Sequence, residues 1–271
     1  MERRDFLKGA AFGLTSCCCA PLFDLMNNAT PGPAVAAADT ANTCFTAEQM
    51  LAFFDKYVIY EKDLWIKYYG DDTAEELLSQ ARDELALLAP SMPCIQDSQD
   101  SLKHSYNGLA KYKVLKQYGT PLEDIASVYL GGIANGLFSI PWFIRLFIGL
   151  GMFNKSTKDA VKNSALESQK RENPDDWVFE YVEGDGFFFD YGMNFYECPI
   201  VKCFPRHDAA EFSKYICPSD DVVSDAFGRG LVRTSTLALG GEVCDFRMKW
   251  KLPRLRPRAD YSTIRTGIKL F

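Results

Sequence analysis

The chain has 271 residues, with 47% hydrophobic and 24% charged residues and a formal net charge of −6. That composition excludes wholesale disorder, and the acidic balance disfavours a nucleic-acid-binding surface. Only two histidines are present, His104 and His207, which excludes a metal centre of three imidazoles; nine cysteines are too few for a disulfide-built miniprotein.

The first residues, Met-Glu-Arg-Arg-Asp-Phe-Leu-Lys, carry the pair Arg3-Arg4 and resemble a twin-arginine export signal. The weakly apolar stretch that follows, Gly9 to Phe23, is too short to span a bilayer. Residues 1–38 are therefore read as signal and processing region and excluded from fold reasoning. Leu14-Thr15-Ser16-Cys17 resembles a lipobox, whereas Ala34-Val35-Ala36 and Ala36-Ala37-Ala38 fit signal-peptidase cleavage. The expectation is export across the cytoplasmic membrane by the twin-arginine machinery, with membrane attachment only through the signal or a lipid anchor at Cys17. Residues 24–43 read as a linker.

Residues 39–271 are expected to form a single domain. Its helical part covers about 44–172 and its motif-bearing part about 173–271. Thr46 and Gln49 form a capping box before apolar residues at helical spacing, from Met50 to Tyr68, with Glu61 the only break. This predicts one helix of about six turns closed by Gly70. A second box, Thr73 and Glu76, opens a helix that Pro90 ends. Thr120, Pro121 and Glu123 mark a third helix start. Residues 130–153 are long and apolar, but Arg145 lies inside the run and Pro141 breaks it, so a core or pocket-lining helix pair is expected rather than a membrane span.

After residues 170–176 the pattern changes. Trp177 to Val182 reads as a strand, Gly184-Asp185-Gly186 as a turn, and Phe187 to Phe195 as the returning strand. Residues 197–228 read as two short helices. Leu231 to Ala238 and Val243 to Trp250 read as two more strands, separated at Gly240-Gly241. The fold class is therefore α+β: a helical N-terminal half packed on an antiparallel sheet of order strand-strand-helix-helix-strand-strand.

Residues 177–247 concentrate the chemistry: Glu197-Cys198, Cys217-Pro218-Ser219-Asp220, Arg233-Thr234-Ser235-Thr236-Leu237, and Gly240-Gly241 followed by Cys244-Asp245-Phe246. In this order the elements resemble the L-2-amino-thiazoline-4-carboxylic acid hydrolase family, over about seventy residues. The resemblance implies hydrolytic opening of a thiazoline ring: water adds at the amidine-like carbon and the carbon–sulfur bond breaks, giving N-carbamoyl-L-cysteine. It requires a nucleophile or activated water, an acid for the departing group and a cation for the carboxylate. An export signal departs from a cytosolic amino-acid pathway, which leaves the substrate open.

Cys198, near a helix start, is the first candidate nucleophile, against the reading of a packing cysteine. Cys217 and Cys244 recur in the family pattern and are candidates with it. Asp220 and Asp245 are candidate proton carriers, although Asp220 can equally serve as an N-cap. Arg233 can clamp a substrate carboxylate or be a solvated strand residue. Glu183, Asn194 and Thr236 complete the candidate substrate contacts, with Glu183 also explained as turn chemistry. A small molecule is the expected partner, with no nucleic acid, cofactor or metal. A four-thiolate zinc site of Cys198, Cys203, Cys217 and Cys244 lacks any C-x-x-C pair. The alternative function is an exported, non-catalytic protein that binds a small molecule or metal in the same pocket.

Overall fold

The computed structural model describes residues 44–95 and 99–263. The signal, lipobox and cleavage readings fall outside them. The described chain is α+β, as its patterning predicts. Seven helices come first: α1 (Ala47–Tyr57), α2 (Lys62–Tyr69), α3 (Asp71–Leu88), α4 (Gln99–Tyr118), α5 (Leu122–Ser139), α6 (Trp142–Met152) and α7 (Lys155–Ser168). A hairpin of β1 (Val178–Glu183) and β2 (Tyr191–Glu197) follows. Then come α8 (Pro199–Cys203), α9 (Ser213–Ile216), α10 (Ser219–Phe227), β3 (Leu231–Val232) and β4 (Cys244–Met248). The antiparallel sheet has the order β1-β2-β4-β3.

The capping box at Thr46 and Gln49 is present in both directions. The single six-turn helix is not. Val58–Tyr60 tightens into a 3₁₀ turn, and α2 restarts after Glu61. The break turns Glu61 into the core, where it pairs with Lys111 at 2.5 Å and accepts from Trp65 Nε1. Gly132 makes room for it, since a Cβ there would lie 2.3 Å from Glu61 Cγ.

Gly70, at φ 80°, both closes α2 and caps α3, so α3 begins at Asp71 and the Thr73–Glu76 box is not used. Asp71 and Asp72 instead meet the positive end of the helix dipole. Thr120 likewise does not cap α5. Pro121 holds that position, and the Thr120 hydroxyl bonds Tyr69.

No single described helix is long and apolar enough to cross a membrane; α5 and α6, bent by 100°, pass that test only as a broken pair. Pro141 causes the bend, and Arg145 explains how a cation survives in the run. It is buried, donates to the carbonyls of Ile140, Ala226 and Arg254, and stacks on Phe138. One core spans both halves. Tyr112 of α4 stacks on Phe212 at 4.6 Å between ring centroids, and Tyr106 meets Phe204 edge-on.

Cys44 and Cys94 form a disulfide across α1–α3, 50 residues apart in sequence. Cross-linking a loop of that length restricts the unfolded chain. The Cys44→Ser/Cys94→Ser variant should therefore lose roughly 2–4 kcal/mol of stability. Urea denaturation checks this, and an unchanged midpoint would remove the disulfide from the stability account.

Candidate active site

The two later strands differ from their predicted lengths for one reason, and that reason builds the site. β3 pairs with β4 only through Leu231 and Val232. Beyond it Asp245 captures the chain: its carboxylate accepts from Thr234 N at 2.8 Å, Ser235 N at 2.6 Å and Thr234 Oγ1 at 2.5 Å. A backbone turned toward a side-chain acceptor cannot continue a ladder. Cys244 secures the next step, accepting the Leu237 N–H at 3.2 Å on its sulfur. Gly240 closes the loop at φ 83°, and a Cβ on Gly241 would lie 2.1 Å from Ser235 Oγ. The Gly-Gly-x-x-Cys-Asp element is thus a brace for residues 233–237. The hairpin tip is shortened in a similar way. Asp185 accepts from the N–H groups of Phe187, Phe188 and Phe189, so β2 begins only at Tyr191.

What the brace holds in place is Arg233. The guanidinium is buried, not solvated. It donates to Asp220 Oδ2 at 2.9 Å and to the Cys217 carbonyl at 3.1 Å. It also lies 3.6 Å from Asp221 and stacks over Phe246 with 4.8 Å to the ring centroid. Asp220 is not an N-cap: it sits inside the first turn of α10, where Pro218 is the cap residue. It is buried, and its Oδ1 has no hydrogen-bond partner among the described residues. Burial pushes its carboxyl up from the ordinary aspartate value, against the pull of Arg233 and Arg229. Thr236 is buried beside this loop, and its Oγ1 also lacks a partner among the described residues. Cys217, half-buried, donates its thiol to Ser213 O at 3.7 Å.

Three of the four sequence elements therefore meet: Cys217 to Asp220, Arg233 to Thr236, and Cys244 to Phe246. The fourth lies at the start of α8. Cys198 is half-buried at the cap of α8, beside Lys202, whose ammonium binds Glu197. Burial lowers Lys202 from its usual value.

The pleat separates other candidates. Cys244 and Phe246 point to the core, while Asn194 and Asp245, paired across β2 and β4, share the opposite face. There Arg247 donates to Asn194, and Asn194 and Tyr196 donate to Glu180. The Tyr196 and Asn194 hydrogen bonds lower the Glu180 carboxyl. Glu183 is exposed and pairs with Lys162 at 2.7 Å. No group of three or more His, Cys, Asp or Glu side chains among the described residues is placed to hold a metal ion, so the four-thiolate arrangement does not form there.

A cleft of about 860 Å³ lies beside Pro218. Pro218, inside the Cys217–Asp220 element, and Leu239, just beyond the Arg233–Leu237 element, form part of its wall. Lys67 and Glu123 approach from α2 and α5, Lys214 and Tyr215 from α9, and Arg258 from the segment at residues 257–263. Tyr215 donates to Glu123 at 2.9 Å across the cleft. The run expected as a core or pocket-lining helix pair supplies Gly131, Ala134 and Asn135 to this wall, while Lys67, Lys214 and Tyr215 are identified by the folded contacts alone.

No curated protein and no solved structure matches the chain. Residues 149–248, just over a third of the chain and the part that contains all four elements, match the family model for L-2-amino-thiazoline-4-carboxylic acid hydrolase, which supports the family resemblance of those motifs.

Proposed function

We propose that the protein is an exported hydrolase of this type, opening a small cyclic amidine in the cleft, with Cys217 as nucleophile. The observation that carries the reading is Asp220: a buried carboxyl with one oxygen on Arg233 and the other unpartnered among the described residues, two positions from the cleft wall at Pro218. Burial raises the Asp220 carboxyl, which holds its proton more tightly than an ordinary aspartate and makes it a candidate proton donor.

In this reading the Cys217 sulfur attacks the amidine carbon while its thiol proton passes to the ring nitrogen, and the ring carbon–sulfur bond breaks. The departing sulfur takes a proton from Asp220, which regains one from that nitrogen as the C=N bond reforms, leaving an isothiourea on Cys217. Water then adds across that C=N bond with one proton going to the nitrogen, the bond to Cys217 breaks as the carbonyl forms, and the hydroxyl proton returns to the Cys217 sulfur as the N-carbamoyl product leaves. Lys67 and Lys214 supply the cations for a substrate carboxylate, a task closed to Arg233 because its donors are engaged. Arg233 is a positioning residue, fixing Asp220 and the Cys217 backbone together. Cys244, Asp245 and Thr236 shape the loop that carries it. Cys198, Asn194 and Glu183 have no part in this mechanism.

The disulfide between Cys44 and Cys94 supports the export reading, since such bonds persist in oxidising compartments. The test is to incubate the full chain with L-2-amino-thiazoline-4-carboxylate and follow N-carbamoyl-L-cysteine by mass spectrometry. The expected result is catalytic formation of that product. Substrate recovered unchanged while it raises the melting temperature would overturn the hydrolase and favour a binding protein.

A further inference from the structure

We propose that the protein lies on an anionic membrane surface through α6 and the basic strap at residues 249–258. α6 turns Arg145, Gly149 and Met152 inward. Its opposite stripe, at spacings of four and three, is Phe143, Phe147 and Leu150, which are 58%, 69% and 46% exposed. A solvent-facing helix stripe is ordinarily polar, and a contiguous apolar one marks an interaction surface.

The strap is bound directly to this helix. Trp142 Nε1 donates to Pro253 O at 3.0 Å, and Arg145 donates to Arg254 O at 2.9 Å. Its sequence, Lys-Trp-Lys-Leu-Pro-Arg-Leu-Arg-Pro-Arg, holds five cations and no acid, in a chain of net charge −6; Lys249 pairs with Asp190, and Arg254 and Arg258 pair with Asp225, so Lys251 and Arg256 are the cations that meet the headgroups. Leu252 and Leu255 are 63% and 75% exposed, interleaved with the exposed cations Lys251, Arg254 and Arg256. The β1–β2 tip joins the same edge. Lys249 binds Gly186 O and Asp190, and the Trp250 N–H also bonds Asp190. Phe187 and Phe188 project from that tip, 77% and 68% exposed.

Charge complementarity selects the occupant. A second copy would set one cationic strap against another on two acidic chains. Anionic lipid headgroups match the strap, while the Phe and Leu side chains enter the interfacial layer. The 100° bend between α5 and α6 suits a segment that lies on the surface.

The test uses the full chain and phosphatidylcholine vesicles with or without phosphatidylglycerol. Three proteins are compared: wild type, Phe143→Ser/Phe147→Ser and Lys251→Glu/Arg256→Glu. All three share the N-terminal segment, so differences report on this face. Thermal unfolding confirms that the exposed substitutions leave the fold intact. Wild type should bind the phosphatidylglycerol vesicles, with affinity falling as salt rises, and each variant should bind at least roughly tenfold more weakly. Hydrogen exchange on vesicles should protect residues 143–150 and 251–256. Equal binding by all three proteins with no protection there would overturn the proposal. So would protection of this face by self-association without vesicles.

Discussion

Replacing Arg233 with Met is expected to cost about 3–5 kcal/mol at neutral pH, the scale for removing one partner of a buried ion pair. The side chains of Arg233 and Asp220 are each only 4% exposed, so the abandoned carboxylate cannot be rescued by water. The loss also strips the Cys217 carbonyl of its donor and Phe246 of its stacked cation.

Its pH dependence has a definite sign. Burial raises the Asp220 carboxyl, so the folded state holds a proton that the unfolded state has released. Stability from this group is therefore greatest below the ordinary aspartate value and falls as pH rises through the raised one. Arg233 opposes that rise, so its removal raises the carboxyl further. The cost of Arg233→Met should shrink as pH falls toward the ordinary aspartate value. Denaturation of both proteins across the acid range checks this. A pH-independent cost would mean that the loss is one of packing.

The second large effect lies in the helical half. Lys111→Met should cost a similar ~3–5 kcal/mol, because Glu61 would remain buried without its cation. At this chain length that moves the melting temperature by on the order of 10 °C. Burial already lowers the Lys111 ammonium from its usual value, so the pair is held by its mutual contact against desolvation. The double variant Glu61→Leu/Lys111→Met should recover most of the loss, since a buried pair and an apolar replacement are often close in stability. Calorimetry of the single and double variants measures the difference. A double variant as unstable as the single would show that the Glu61 side chain is needed for more than its charge.

The helical half was legible where local chemistry decides the outcome. Thr46 and Gln49 cap α1 as their spacing predicts, and Pro141 bends the apolar run where it stands in the sequence. It was not legible where a distant partner decides. Glu61 interrupts a helical stripe, and only Lys111, fifty positions away, explains why the helix breaks there instead of tolerating the residue.

In the C-terminal half the same limit shortens β3. Alternation through residues 231–238 predicts a strand, but a carboxylate ten and eleven positions later takes its N–H groups. For the site, the order of the motifs pointed to the right stretch without assigning its geometry. Asp220 and Arg233 meet; Asp245 and Asn194 lie on the far face of the sheet. A sequence does not state which face of a pleat meets the core and which meets solvent. On the helical wall of the cleft, the apolar run at residues 130–153 reads as a core or pocket-lining pair and supplies Gly131, Ala134 and Asn135, whereas Lys67, Lys214 and Tyr215 carry no sequence signal.

The claim that the site is built on the Cys217–Asp220–Arg233 contacts is tested most directly by assaying two cysteine variants side by side. Cys217→Ala and Cys198→Ala would each be given L-2-amino-thiazoline-4-carboxylate, with thermal unfolding as the folding control. Loss of a covalent nucleophile removes most of the rate enhancement, so Cys217→Ala should lower kcat/KM by at least ~10³-fold, while Cys198→Ala stays near wild type. Turnover that survives in Cys217→Ala and vanishes in Cys198→Ala would contradict this account and move the chemistry to the cap of α8 beside Lys202.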